Sequence, residues 1–170
     1  MDAVRFVGID PSLSGCGIVI INESGEVVEA TELKAGKEDD PLRFMILVKR
    51  VLKHVDISQD RILIEGFSFG SKGRAVSTMY GLGWCFRIAF TELQAKWQEV
   101  PPTSLKKFAS NKGNAAKPVV MQMVKKKWGF DHPSDNVNDA YVLAKMAWAM
   151  YNHDKLREYE KEVLKKIKKV

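Results

Sequence analysis

The stretch Val4-Arg5-Phe6-Val7-Gly8-Ile9-Asp10-Pro11, followed by a second apolar run at Gly17-Ile18-Val19-Ile20-Ile21, decides the reading of the fold. Val4 to Ile9 is mostly apolar and stops at Asp10-Pro11, as a strand does. Asn22-Glu23-Ser24-Gly25 is a turn and Glu26 to Leu33 a third strand, so the second and third strands form a hairpin. Working outward, Asp39-Asp40-Pro41 opens a helix that runs to His54. Arg61 to Glu65 is a short apolar run ending in a carboxylate, which suits a strand buried on both faces. A long helix is expected from Ser71 to about Lys96. Gly81 and Gly83 weaken it by about 1 kcal/mol each relative to alanine, which predicts close packing contacts at both. Trp97 to Val100 is a strand closed by Pro101-Pro102. Pro118 to Trp128 is a helix with Gly129 just past its end. Asp135 to Tyr151 is a helix apolar around most of its circumference, hence buried, and Asp154 to Val170 is a charged surface helix. Five strands with interleaved helices describe an α/β domain, a mixed sheet flanked by helices.

The chain has 170 residues, which fits one domain; its 45% hydrophobic and 28% charged residues exclude disorder and a disulfide scaffold. Lys plus Arg is 27 against 21 Asp plus Glu, a net charge of +6 that suits an anionic partner such as nucleic acid. Cys16 and Cys85 share no metal-ligand or framework spacing and read as free thiols in a reducing compartment. No run reaches the roughly 18 apolar residues of a membrane helix, and Met1 to Arg5 lacks a signal region. The expected location is the cytoplasm, with no membrane partner.

Asp10 and Glu65 each end a predicted strand. If those strands are parallel neighbours, both carboxylates project from one sheet edge, where α/β proteins place their sites. Asp135 and Asp139 are spaced i, i+4 and share a helix face. Singly, each has a bland reading: a strand end, a solvated acid, helix N-terminal charges. Together, four converging carboxylates repel one another and lose solvation, a cost that divalent cations offset. Mg²⁺ or Mn²⁺ prefers such oxygen ligands, and two ions about 3.5–4 Å apart form the usual clamp for phosphodiester hydrolysis.

From Pro101 to Phe130 there is no acid and there are seven lysines. Lys106, Lys107, Lys112 and Lys117 surround the loop Ser110-Asn111-Lys112-Gly113-Asn114, whose amides suit a phosphate; Lys125 to Lys127 read equally as a solvated face. Phe67, Phe69, Lys72 and Arg74 follow Glu65 directly. They suit stacking on an unpaired base and holding phosphates, although phenylalanines folded back into the core are as good a reading. His132 reads as a surface residue.

Four segments in order resemble the RuvC family of Holliday-junction resolvases: Gly8-Ile9-Asp10-Pro11-Ser12 with Gly15 and Gly17, Ile64-Glu65, Lys106 through Gly113 to Lys117, and Asp135-Asn136-Val137-Asn138-Asp139-Ala140. The match runs from about residue 4 to 150. It implies an RNase H-like fold over residues 1–152, with 153–170 a basic helix of the same domain or a short tail. It also implies a homodimer that uses Mg²⁺ to nick four-way DNA junctions symmetrically, leaving 5′-phosphate and 3′-hydroxyl ends. On this resemblance Asp10, Glu65 and Asp139 are metal-binding carboxylates, and Lys106 and Lys117 lie near the scissile phosphate. The aromatic that opens the junction centre falls on Phe67 or Phe69. The family's fourth ligand falls on Asn136, with an acid one residue earlier at Asp135, so either position faces the metal. The helix from Ser71, with Met79, Tyr80, Gly81, Gly83, Trp84 and Phe86, is a dimer surface or core packing. A compact chain of this size suits a bacteriophage. The rival readings are a branched-DNA binding protein with weak or no cleavage, and an actin-like ATPase fragment, against which the length speaks.

Overall fold

A computed structural model describes residues 3–170 except 71 and 74. In chain order the elements are β1 (Phe6–Asp10), β2 (Cys16–Ile21), β3 (Val27–Leu33), α1 (Leu42–Leu52), β4 (Arg61–Glu65), α2 (Ala75–Glu92), β5 (Lys96–Val100), α3 (Pro102–Ser110), α4 (Lys117–Trp128), α5 (Asp135–Ala149) and α6 (Glu158–Leu164). The strands form one sheet in the order β3-β2-β1-β4-β5. β1 and β2 are antiparallel, with Asp10 opposite Gly17, and β2 and β3 are antiparallel, with a register shift between Ile20 and Ile21. β4 lies parallel to β1, pairing Ile64 with Ile9, and β5 parallel to β4, pairing Val100 with Glu65.

Side chains alternate across the pleat and fill two cores. Phe6, Val19, Ile21 and Leu63 face α3, α4, α5 and α6. Val7, Ile9, Ile18, Ile20, Ile62 and Ile64 face α1 and α2 through Leu47, Leu82, Phe86 and Phe90. Every residue of β1 is therefore buried, which explains its near-continuous apolar sequence.

The close seating of α5 depends on two glycines. A Cβ on Gly8 would lie 1.9 Å from the Ala140 carbonyl oxygen, and one on Gly17 would lie 2.2 Å from that of Asn136. Ser134 caps the helix, its Oγ accepting from the Val137 amide at 3.3 Å. The contacts expected at Gly81 and Gly83 are present: a Cβ would meet the Phe44 ring at 2.9 Å and the Phe67 ring at 2.4 Å.

Three expectations change. The long helix after the aromatic loop spans Ala75–Glu92 and stops where Gln94 turns left-handed at φ 54°; its expected start at Ser71, like Arg74, lies outside the described residues. The stretch after Pro101 holds the unforeseen helix α3, with Pro102 in its first turn and Asn111 at φ 63° closing it. The last helix covers only Glu158–Leu164, and it is less superficial than its charges suggest: Val163, Leu164 and Ile167 join the core under α3 and α5. Among the described residues no helix is long and apolar enough to cross a membrane.

Candidate metal centre and nucleic-acid interface

Parallel pairing of β1 with β4 sets Asp10 and Glu65 side by side at the carboxyl edge of the sheet. The α5 helix, pressed down over Gly8 and Gly17, brings Asp139 to the same point. Ligand oxygens of Asp10, Glu65 and Asp139 lie within 4.8 Å of one another. Asp10 is only 5% exposed. Burial pushes its carboxyl well above the usual range, and the charges of Glu65 and Asp139 push further, against the opposing pull of Lys117. Asp139 is pushed up to about 7 by burial first and Glu65 next, opposed by Lys117 and Lys106. Three acids held together without a matching cation are the donor set that a hard divalent ion fits.

Asp135 is not part of this triad. It pairs with Lys117 at the mouth of the site, and that contact raises the lysine and lowers the acid. Asn136 lines the cleft instead, its Nδ2 donating to the Gly15 carbonyl at 2.8 Å and reaching Glu32 Oε1 at 3.4 Å. Glu32, on the edge strand β3, also accepts from Ser134 Oγ at 2.7 Å, so it ties the start of α5 to β3, while Asn136 ties it to the loop between β1 and β2.

The cleft around the triad is about 280 Å³ and is lined on one side by Lys106 and Lys117. Lys112 and Lys72 are exposed on neighbouring loops. Lys107 points elsewhere, pairing with Glu162 of α6 at 3.1 Å. Lys125 pairs with Asp131 at 2.6 Å, and Lys127 is buried against Glu160, so these two are engaged within the fold. His132 accepts from the Ser134 amide at 3.1 Å and stacks on Phe130; it lines no part of the cleft.

The two phenylalanines separate. Phe67 lies on Gly83 with its ring against Tyr80 and Trp84 and the Arg87 guanidinium 4.0 Å from its centroid. Phe69 is 83% exposed at the tip of the same loop, 6.4 Å from Phe67 between ring centres. Arg87, almost fully buried, donates to the Gly83 carbonyl at 2.8 Å and, through Nε and Nη2, to Glu99 Oε2 at 3.0 and 2.8 Å. Sequence reasoning passed over Arg87, Glu99 and Glu32. Only Arg87 left a signal, as a lone cation inside an apolar helix.

No family model matches the chain. A crossover junction endodeoxyribonuclease RuvC from Helicobacter hepaticus is 27% identical over 152 residues, covering 83% of this chain and 80% of that protein. The RuvC structure of Thermus thermophilus superposes with a TM-score of 0.70 at 18% identity, covering 88% of this chain and 97% of the other. The same protein in complex with a Holliday junction substrate gives 0.68 at 18% identity over 88% and 96%. A β3-β2-β1-β4-β5 sheet with carboxylates at the ends of two adjacent parallel strands agrees with that likeness: the chain is similar in sequence to a RuvC protein and shares the RNase H-like fold of the RuvC structures.

Proposed function

We propose that the protein is a metal-dependent endonuclease that resolves four-way DNA junctions. The observation that carries this reading is the meeting of Asp10, Glu65 and Asp139, from three separate elements, beside a lysine-lined cleft. A module that only grips branched DNA has no need to hold three repelling acids in a partly buried space. In this reading the three acids hold two Mg²⁺ ions, with Mn²⁺ able to replace them. The ions would supply an activated water and stabilise the leaving oxygen.

The chain's own groups do the rest by position and charge. Lys106 and Lys117 face the phosphate. Asp135 orients Lys117 through their ion pair. Lys72 and Lys112 extend the cationic track along the backbone, and the exposed ring of Phe69 stacks on an unpaired base at the branch. Symmetric nicks, each leaving a 5′-phosphate and a 3′-hydroxyl, require two such sites, and we assign the pairing to the exposed face of α2. Such an enzyme works where the DNA is, in the cytoplasm of a bacterial or phage-infected cell.

Asp10→Asn tests the reading. It removes a ligand charge without adding bulk. Nicking of a labelled four-way junction in Mg²⁺ should fall by at least about 10³-fold while junction binding in a gel-shift assay stays within a fewfold. Full cleavage by this variant would overturn the assignment.

A further inference from the structure

Beside the carboxylate cleft, and sharing Gly66, Phe67, Ser68 and Pro102 with it, lies a second hollow of about 300 Å³. Phe67 and Phe69 line one part of it and Pro101 and Pro102 another; among the described residues its charged group is Glu99, whose side chain is 50% exposed. Glu99 projects from β5 opposite Ile64, one position before Glu65 of the triad. Its Oε2 is occupied by both hydrogen bonds from Arg87, and Arg87 is itself fixed by the Gly83 carbonyl and by the Phe67 ring. Oε1 has no hydrogen-bond partner among the described residues. The hollow therefore combines aromatic rings with a carboxylate that is clamped through Oε2 and whose other oxygen, Oε1, can only accept. Stacking on such faces suits any base, but a fixed acceptor does not. The amino group of cytosine donates to it. Thymine has no amino group and offers only its N3–H, flanked on both sides by carbonyl oxygens that the carboxylate repels, so it is accepted less well.

We propose that this hollow receives an unpaired base next to the scissile phosphate and that Glu99 selects cytosine over thymine there. The inference rests on the nuclease reading above and adds to it a source of sequence preference. Arg87 is a positioning residue: it holds the Glu99 carboxylate in a fixed orientation and keeps the Phe67 ring in place.

The experiment uses the full-length protein and a set of four-way junctions that differ by one base at each position flanking the cut. At one position, cytosine should be cut about tenfold faster than thymine, the discrimination that one charge-assisted hydrogen bond supplies. Replacing that cytosine by 2-pyrimidinone, which lacks only the amino group, should lower the rate to the thymine level. In Glu99→Gln an oxygen still accepts from Arg87, but the amide can also donate to thymine, so the cytosine-to-thymine ratio should fall to within about twofold. The ratio between sequences is the readout, because a general loss of folding or rate leaves it unchanged. Equal cutting of cytosine and thymine at every position overturns the proposal, as does a preference that survives 2-pyrimidinone or Glu99→Gln. Failure of the native protein to cut any junction in Mg²⁺ or Mn²⁺ removes the nuclease reading, and this one with it.

Discussion

Asp139 is a residue whose fold does not favour its charge. Its carboxyl sits at about 7, raised by burial and by Glu65, whereas the same group titrates near 4 in an unfolded chain. The folded state therefore holds the proton more tightly. Stability without metal is full below about pH 4 and declines as pH rises toward 7, by up to about 4 kcal/mol if Asp139 alone carries the shift. Asp139→Asn removes that loss. In EDTA at pH 8 the variant should melt above the native protein by about 4–8 °C, taking about 2 kcal/mol as the realised gain, and the two curves should meet near pH 4. Adding Mg²⁺ or Mn²⁺ should raise the melting temperature of the native protein and barely move the variant. A variant that melts lower at pH 8 would mean that Asp139 is stabilised by partners and is not a strained ligand.

The placement of Asp139 depends on how closely α5 approaches β1. Gly8→Ala would drive a methyl carbon into the Ala140 carbonyl at 1.9 Å, and neither backbone can yield without moving the sheet or the helix. Its cost should be about 3 kcal/mol or more in urea unfolding. Gly70→Ala, where nothing lies within 4 Å, should change stability by less than about 0.5 kcal/mol. An equal effect at both glycines would refute this account of the helix seat. These elements also show what the sequence made legible. Apolar runs ending in Asp10 and Glu65 and the acids opening α5 predict the strands, the parallel edge and the triad, because burial on both faces leaves a continuous apolar signature. Asp135 and Asp139 share a helix face by spacing, yet only Asp139 joins the triad. The helix is rotated about its axis by its contact with Gly8 and Gly17, which spacing within α5 does not encode. The helix α3 was hidden because its apolar positions, Leu105, Phe108 and Ala109, alternate with lysines that read as a basic loop. Arg87 and Glu99 meet only through packing of α2 on β5, so neither residue's sequence neighbourhood announces the pair.

At the scale of the whole molecule, one charged cleft is half of what paired nicking needs. Two copies related by a twofold axis would present two clefts to the two strands, using one self-complementary surface. The α2 helix offers such a surface. Its Phe86 and Phe90 are buried against the sheet, while Met79, Trp84 and Ile88 remain exposed on the outside, Ile88 by 54%. Trp84 also touches the Phe67 ring, so pairing through α2 would brace the aromatic loop in each copy. Ile88 has no such contact and separates the two roles. Ile88→Glu sets like charges across the axis and should convert a dimer to a monomer in sedimentation experiments at micromolar concentration, with the circular dichroism spectrum unchanged. On a supercoiled plasmid that extrudes a four-way junction, native protein should give linear product from coupled nicks. Ile88→Glu should give mainly the singly nicked circle. If the native protein is already a monomer at concentrations where it linearises the plasmid, α2 is an ordinary exposed helix and the second nick comes from independent encounters.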